Sequence, residues 1–388
     1  MDSASIYQNK KTSGHGLSFI LTVYIALKPL YINQSGSLQI SDMFLVLGLA
    51  YILLSSKGTL SFPAQCASFL GILSSFVLFT CVVNGMWTMT GYNYLKPCLY
   101  YVFNFIAVLT CFLVYIRVGA DIFSKAIFTG VFLSSIVTLI GLVLPNEGAR
   151  ETGFFNNPNQ LGYYGIVIIA FVFLVKRDRL IFKEAFVLAV GIWSIVASLS
   201  KAAFIGLIAQ CIICALFMGK NKSAKVLAKR IILIVAIGVF IYIFIFSDVL
   251  DKLPFDSLIR MRNRLFAMAT ENDSSLGSGR GYDRVKEMGK HILWGMGEGN
   301  YGRFSSLRGL EVHSTFVSII VSYGFFGFFL YLWLIIKTIF AKGFAMKNIA
   351  VLSGVLIYSL SHNGVRNTLV WILLAFTFLI SKKHTDQR

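Results

Sequence analysis

The chain is poor in charged residues. Of its 388 residues, only 13% are Asp, Glu, Lys or Arg, whereas 56% are hydrophobic. A globular chain carries roughly 25% charged residues, so there is too little polar surface here to cover the apolar side chains in water. The composition therefore argues against a soluble single domain, and it also excludes a disordered chain.

Several functional motifs are also missing. The predicted outer segments contain no Asp-x-Asp or Asp-x-Asn pattern suited to a metal–sugar-nucleotide site. The sequence has no His-Glu-x-x-His, Gly-x-Ser-x-Gly or Walker motif. The 6 cysteines lie in or beside apolar stretches and indicate no disulfide framework. We therefore expect neither a metal nor a cofactor.

What is abundant is apolar runs long enough to cross a bilayer. Stretches of about 17–25 apolar residues are typical of transmembrane helices. The runs predict about twelve such helices, at residues 16–32, 38–54, 63–83, 97–116, 122–144, 161–175, 180–199, 202–218, 231–246, 315–336, 345–360 and 369–380. The predicted fold is all-α, with residues 1–388 forming a single polytopic membrane domain.

The net charge of +18 is a topology signal. Cytoplasmic segments of membrane proteins carry an excess of Lys and Arg. With both termini placed in the cytoplasm, 20 of the 35 basic residues fall on that side. The short outer loops then hold only Lys96, Arg150, Lys201 and Arg366. The charge thus indicates a lipid bilayer as the surroundings and not a nucleic acid.

One large outer loop, residues 247–314, is inserted before the tenth predicted helix. Within it, residues 258–269 mix bulky apolar residues with arginines. Residues 282–294 are predicted to form a helix between two glycine-rich stretches. The loop carries 10 basic and 9 acidic residues, so its charges nearly cancel and any arginine must act locally.

Two short outer segments carry residues suited to binding an anion. Asn157-Pro158-Asn159 leads into the sixth predicted helix just after Arg150, although Asn157 and Pro158 fit a simple helix-capping turn equally well. Lys201 begins the eighth predicted helix after a very short turn. It is either an interfacial lysine or part of a phosphate site at a helix N-terminus.

The long loop supplies two further cations. Arg280 and Arg284 are four residues apart at the start of the predicted helix, a spacing that places them on one face. They are either ligands of an anion or solvated charges paired with Asp283 and Glu287, which is the commoner case on a surface.

A histidine stands at the entry to the tenth predicted helix. His313-Ser314 is followed by nine residues and then by Gly324. An isolated interfacial histidine is usually structural, but histidine is also the side chain most readily used as a base near neutral pH. His362 and Arg366 flank the last outer loop and form a weaker pair.

In four places the sequence resembles the O-antigen ligase and O-antigen polymerase superfamily. These are bacterial membrane glycosyltransferases that use undecaprenyl-diphosphate-linked glycans as donors. The matching stretches are residues 153–162, 198–202, 279–300 and 313–327. Their order, their outer-face placement and their position before a late helix match the family, and the topology matches it over nearly the whole chain.

The resemblance implies a glycosyltransferase of the bacterial inner membrane whose active site faces the periplasm. From it we expect a metal-independent, inverting reaction in which Arg280 and His313 are catalytic. The family usually has Arg where Lys201 stands, and Lys keeps the charge but loses bidentate phosphate binding. The other expected site residues are Lys201, Arg150 and Arg284 for the diphosphate, and Asn157, Pro158, Asn159, Ser314 and Gly324 for the shape of the site.

The polymerase and the ligase share a donor and differ in the acceptor. A polymerase extends another lipid-linked oligosaccharide, with a chain-length regulator and a flippase as expected partners, whereas a ligase transfers the finished chain to lipid A–core. The His-Ser-x9-Gly-x-x-Gly pattern favours a ligase. Residues 155–162 and the Ser-Leu-Ser-Lys turn favour a polymerase, which is the predicted function. A transporter of lipid-linked oligosaccharide is a distant alternative, because only Lys28 and Asp42 lie within the predicted helices as charges typical of transport pathways.

Overall fold

The computed structural model is all-helical, with no strand among the residues it describes. Those residues are 3–33, 37–55, 62–87, 95–144, 150–175, 181–217, 232, 235–236, 238–239, 243–244, 256–270, 281–299, 311–341 and 345–381. The chain divides into two compact units. Unit 1 comprises Met1–Val137, Ser275–Gly343 and Ser359–Arg388, and unit 2 comprises Thr138–Ser274 and Phe344–Tyr358.

The helices are numbered in chain order. They are α1 (Ser3–Leu27), α2 (Ile40–Ser55), α3 (Ala64–Trp87), α4 (Leu95–Val143), α5 (Pro158–Val175), α6 (Phe182–Ala197), α7 (Lys201–Phe217), α8 (Asp256–Thr270), α9 (Arg284–Glu287), α10 (Thr315–Ile339), α11 (Ala345–Ser361) and α12 (Thr368–Ile380). A short 3₁₀ turn, Gly289–His291, follows α9.

The apolar runs predicted the helix positions well. Eleven of the twelve predicted segments coincide with a helix, and the ninth, residues 231–246, lies largely outside the described residues. Among the residues that the structure describes, four helical segments are long and apolar enough to cross a membrane, namely Ala64–Trp87, Lys96–Val143, Pro158–Val175 and Thr315–Ile339. Five shorter apolar helices accompany them, so the number of spans stays a prediction.

A glycine divides the longest helix. Gly119 in α4 has φ 77° and ψ 170°, values outside the helical region that glycine adopts at little cost. The break falls between the fourth and fifth predicted segments, residues 97–116 and 122–144. The two predicted helices are therefore present, joined without an intervening loop.

Unit 2 is held together by close approach of helix backbones. A Cβ atom on Gly165 of α5 would lie 2.6 Å from the carbonyl oxygen of Gly191 in α6, and a Cβ on Gly206 of α7 would lie 2.8 Å from the carbonyl oxygen of Gly354 in α11. Helices in membranes gain stability from such small-residue contacts, because lipid removes most of the hydrophobic driving force between them.

Unit 1 contains an aromatic core. The ring centroid of Phe76 in α3 lies 5.5 Å from that of Tyr101, 5.8 Å from that of Tyr331 and 6.1 Å from that of Trp371. These rings come from α3, α4, α10 and α12, so one side chain ties together four segments that are distant in sequence. Aromatic pairs at these separations are each worth about 0.5–1.5 kcal/mol beyond the area that they bury.

Lys28 and Asp42, which each lie inside a predicted helix, neutralise each other. Lys28 Nζ lies 2.8 Å from Asp42 Oδ1, and both side chains are buried. The second carboxylate oxygen of Asp42 accepts a hydrogen bond from the backbone amide of Gln39 at 2.9 Å. The pair therefore closes the connection between α1 and α2, which is a structural use for both charges.

We predict that Gly165→Ala destabilises the protein by roughly 1–3 kcal/mol, because the added methyl group forces α5 away from α6. Thermal unfolding of the detergent-solubilised protein measures the change. Gly71→Ala in α3 is the matched control, since a Cβ there meets nothing within 4 Å. Equal melting temperatures for the two variants would contradict the prediction.

Candidate functional site

The turn between α6 and α7 in unit 2 holds its backbone in an unusual conformation. Leu199 has φ 50°, the left-handed region that costs a non-glycine residue roughly 1–2 kcal/mol. Hydroxyl groups on either side fix the turn. Ser198 Oγ accepts a hydrogen bond from the amide of Ser200 at 3.3 Å. Ser200 Oγ accepts a hydrogen bond from the amide of Ala203 at 3.4 Å and thereby caps α7.

The helix α8, from the long loop, covers this turn. Leu199 is buried with Phe244, Met261 and Leu265 in one apolar cluster, against which Leu258 also packs. Met261 and Leu265 are four residues apart and share a face of α8, as the amphipathic pattern predicts. Burial of Leu199 under α8 offsets the cost of its backbone conformation.

Arg150 is attached to the same turn. Its Nε donates to the carbonyl oxygen of Ser198 at 2.8 Å, and its Nη2 donates to Asn159 Oδ1 at 3.0 Å. Burial lowers the pKa of Arg150, and the nearby positive charge of Arg264 in α8 lowers it further. An anion bound here would relieve that repulsion.

The predicted Asn-Pro-Asn segment has a structural and an orienting part. Asn157 Oδ1 accepts from the backbone amide of Gln160 at 2.9 Å, and Pro158 is the first residue of α5, so these two residues form the helix cap. Asn159 instead orients Arg150, and its carbonyl oxygen accepts a hydrogen bond from Tyr358 at 3.0 Å.

Lys201 is the first residue of α7, as predicted, and is half-buried. It lies three residues after Ser198, whose carbonyl oxygen accepts a hydrogen bond from Arg150. Within the described ranges no carboxylate pairs with its ammonium group. Two cations thus adjoin one turn of unit 2, which makes the turn suited to a phosphate group.

In unit 1, His313 lies on a tightly fixed loop. Ser314 caps α10 by accepting from the amide of Val317 at 3.4 Å, and the amide of Thr315 donates to the carbonyl oxygen of His362 at 3.2 Å. The His313 side chain is exposed, and its ring centroid lies 6.5 Å from that of His362. A rigid backbone therefore presents an accessible imidazole.

The tenth predicted helix is not continuous. Gly324 has φ 62° and ψ −167°, which breaks α10 and leaves backbone groups on either side of it without helical partners. The long loop supplies those partners. The amides of Met296 and Gly297 donate to the carbonyl oxygens of Val321 and Ser322 at 2.9 and 2.8 Å.

On the other side of the break, α10 provides the amides and the long loop provides the carbonyl oxygens. The amides of Phe325 and Phe326 donate to the carbonyl oxygens of Ile292 and Leu293 at 3.0 and 3.2 Å. A Cβ on Gly324 would overlap the backbone of Leu293. Gly324 is thus required both for its conformation and for the space that it leaves to the loop, while its role in shaping the site stays a prediction.

Glu298, in the same loop segment, is a buried carboxylate with four hydrogen bonds. Its Oε2 accepts from the phenol groups of Tyr101 at 2.8 Å and Tyr323 at 2.7 Å. Its Oε1 accepts from Arg366 Nε at 2.8 Å and Nη2 at 2.5 Å. The Glu298 side chain is 1% exposed and that of Arg366 is 31% exposed, so the pair reaches from the core to the surface.

Arg366 also connects this network to the loop of His313. Its Nη2 lies 3.2 Å from Glu311 Oε1, which accepts from Asn363 Nδ2 at 2.8 Å. Glu311 stands two residues before His313. Sequence reasoning named Arg366 only as part of a weaker pair and missed Glu298, whose signal was an acidic residue inside a glycine-rich stretch.

The predicted helix over residues 282–294 is wrong in extent. The α-helix covers only Arg284–Glu287, and Gly289, with φ 44°, turns the chain into the 3₁₀ segment. Arg284 is fully buried at the start of α9. Arg280 lies outside the described residues, so the predicted face shared by these arginines and the catalytic role of Arg280 stay predictions.

The remaining predicted site residues are divided between the two units. Unit 2 contains Arg150, Asn157, Pro158, Asn159 and Lys201, and unit 1 contains Arg284, His313, Ser314 and Gly324. No group of three or more His, Cys, Asp and Glu side chains within the described ranges could hold a metal ion.

Comparison with family models shows what part of the chain is similar to. Residues 185–332 match a family model described as O-antigen ligase. The matched region runs from within α6 to within α10 and includes both Lys201 and His313. No curated protein matches the chain.

We predict that Glu298 and Arg366 stabilise the protein jointly. In a double-mutant cycle of Glu298→Gln and Arg366→Gln, we expect a coupling energy of roughly 1–3 kcal/mol, because each change alone leaves a charge without its main partner. Denaturant unfolding in detergent measures it.

The exposed pair Asp283–Lys286, 3.8 Å apart, is the matched control, with an expected coupling below about 1 kcal/mol. Strictly additive effects of the Glu298 and Arg366 substitutions would contradict the prediction.

Proposed function

We propose that this membrane protein is a polymerase of the O-antigen ligase and polymerase superfamily. The match of residues 185–332 to the O-antigen ligase family model supports the resemblance to that superfamily. The protein joins repeat units of a glycan carried on undecaprenyl diphosphate at the periplasmic face of the bacterial inner membrane. The carrying observation is that one family match contains both a cation at a helix start, Lys201, and the exposed His313.

The donor diphosphate binds at the turn between α6 and α7. Arg150 and Lys201 adjoin that turn, and no described carboxylate pairs with Lys201. The resemblance to the family implies that Arg280 also binds the diphosphate. Cations placed where negative charge grows as the glycosidic bond breaks stabilise the transition state more than the ground state. This arrangement supplies that stabilisation from side chains of the chain itself.

The chemical step is a single displacement. The acceptor hydroxyl oxygen forms a bond to the anomeric carbon while the bond from that carbon to the diphosphate oxygen breaks. The diphosphate leaves with the bonding electron pair, and the hydroxyl proton passes to the imidazole of His313. Attack opposite to the leaving group inverts the anomeric centre. The rigid loop at His313 supports this role, because a general base must be held within hydrogen-bond reach of the hydroxyl.

The ligase is the second candidate. Two observations favour it, namely the description of the matching family model and the His-Ser-x9-Gly-x-x-Gly spacing, whose Gly324 shapes α10. The donor and the chemistry would be the same, and only the acceptor would change to lipid A–core. Residues 155–162 and the Ser-Leu-Ser-Lys turn favour the polymerase.

A deletion strain separates these activities on a lipopolysaccharide gel. We expect lipid A–core carrying one repeat unit, because the unpolymerised unit can still be ligated. Bare core together with accumulated lipid-linked polymer would identify a ligase. A normal ladder would contradict both activities.

His313→Ala should lower glycan transfer by the purified protein by about 10²–10⁴-fold, the usual contribution of a general base. Labelled lipid-linked glycan and gel separation measure the rate. His15→Ala, which removes another exposed histidine, is the control and should leave the rate unchanged. Transfer at the wild-type rate by His313→Ala would exclude the base, and loss of wild-type activity on adding a chelator would exclude a metal-free reaction.

A further inference from the structure

Three chain segments of unit 1 converge beside His313. Tyr282 donates its phenol hydrogen to the carbonyl oxygen of Leu360 at 3.2 Å, and Asn363 Nδ2 donates to Glu311 Oε1 at 2.8 Å. A Cβ on the neighbouring Gly281 would lie 3.5 Å from the carbonyl oxygen of Glu311. Residues 281–282, 311–313 and 360–363 therefore form one continuous patch.

Glu311 is held in this patch by one carboxylate oxygen. Its Oε1 forms an ion pair with Arg366 Nη2 at 3.2 Å and accepts a hydrogen bond from Asn363 Nδ2, whereas its Oε2 accepts no hydrogen bond from the residues that the structure describes. The Glu311 side chain is 37% exposed. One oxygen thus fixes the direction of the carboxylate, and the other can accept a hydrogen bond from a ligand.

Asn363 is fixed in the same way. Its Nδ2 donates to Glu311 and to Ser318 Oγ at 3.2 Å, and its Oδ1 accepts from the amide of Val365 at 3.4 Å. The amide therefore cannot rotate without losing three bonds. A site whose polar groups are fixed beforehand loses little conformational entropy when it binds.

The charge of the patch distinguishes among possible ligands. Glu298 and Glu311 contribute two negative charges against the single positive charge of Arg366, so the network carries one net negative charge. The charge of these three side chains by itself disfavours a diphosphate. It suits a neutral ligand rich in hydroxyl groups, because hydroxyls donate to carboxylates and amide oxygens and hydrogen bonds to a charged acceptor are the stronger ones.

We propose that Glu311, Asn363 and Tyr282 form the subsite that binds the acceptor sugar next to His313. Glu311 Oε2 accepts a hydrogen bond from a hydroxyl of that sugar, Asn363 holds Glu311 in place, and Tyr282 provides a half-buried aromatic wall. Glu311 is therefore a specificity-determining residue, distinct from the base. The proposal rests on the proposed function, since it assigns the acceptor side of the same reaction.

The test uses the purified full-length protein with saturating labelled donor and varied acceptor. The acceptor is the glycolipid identified by the gel, either the lipid-linked single repeat or lipid A–core, prepared from the deletion strain. Glu311→Ala should raise the KM for the acceptor by about 10- to 100-fold, as expected for a lost hydrogen bond to a charged group. The kcat and the binding of undecaprenyl diphosphate should stay within about twofold of wild type.

Two variants complete the comparison. Glu287→Ala, which removes a carboxylate from α9, is the matched control and should leave the acceptor KM unchanged. Glu311→Gln keeps the side-chain size and one acceptor oxygen, so it should raise the KM by less than Glu311→Ala. It also replaces Glu311→Ala in the test if that variant does not fold.

The outcomes separate the two proposals. A wild-type protein that neither transfers glycan nor binds undecaprenyl diphosphate overturns the proposed function. Active Glu311 variants whose acceptor KM equals that of Glu287→Ala overturn the acceptor subsite alone. A fall in kcat at unchanged acceptor KM also overturns it, because Glu311 would then act on the chemical step.

Discussion

The structure of unit 1 depends on a break in α10, where the backbone of the long loop forms the hydrogen bonds that the helix itself does not. At Gly324 the helical hydrogen bonds of α10 stop, and the amides and carbonyl oxygens of residues 292–297 take their place. An apolar helix with unsatisfied backbone groups is costly, since each group loses its bonds to water without gaining others. The loop must therefore be in position whenever α10 is folded.

That constraint places the other polar groups of unit 1. Because the loop enters the break at Gly295 and Gly297, Glu298 is carried into the core, where Tyr101 and Tyr323 bind one of its oxygens. Its other oxygen holds Arg366, and Arg366 reaches Glu311 on the loop of His313. Hydrogen bonds and an ion pair thus connect the buried break with the loop that carries the exposed imidazole.

The sequence predicted the helices and some of the local structure around the candidate site. Apolar runs locate helices because bilayer thickness and helical rise fix their length. Asn157 and Gly324 were recognisable from local spacing, but Glu298 was not. Its burial depends on Tyr101, 197 residues away, and on Arg366, 68 residues away. Likewise Arg150 reaches Ser198 across 48 residues, and no local pattern reports such a contact.

The left-handed turn at Leu199 links the long loop to the cations of unit 2. The turn keeps its conformation while α8 covers Leu199, and Arg150 bonds to Ser198 in that conformation. Coupling between the docking of α8 and the binding of an anion at the turn is reciprocal. An anion that binds the turn in this conformation also favours the docked position of α8. Undocking of α8 therefore lowers the affinity of the turn for the anion by the same factor. The loop helix and an anion bound at the turn would in this sense be ligands of one another.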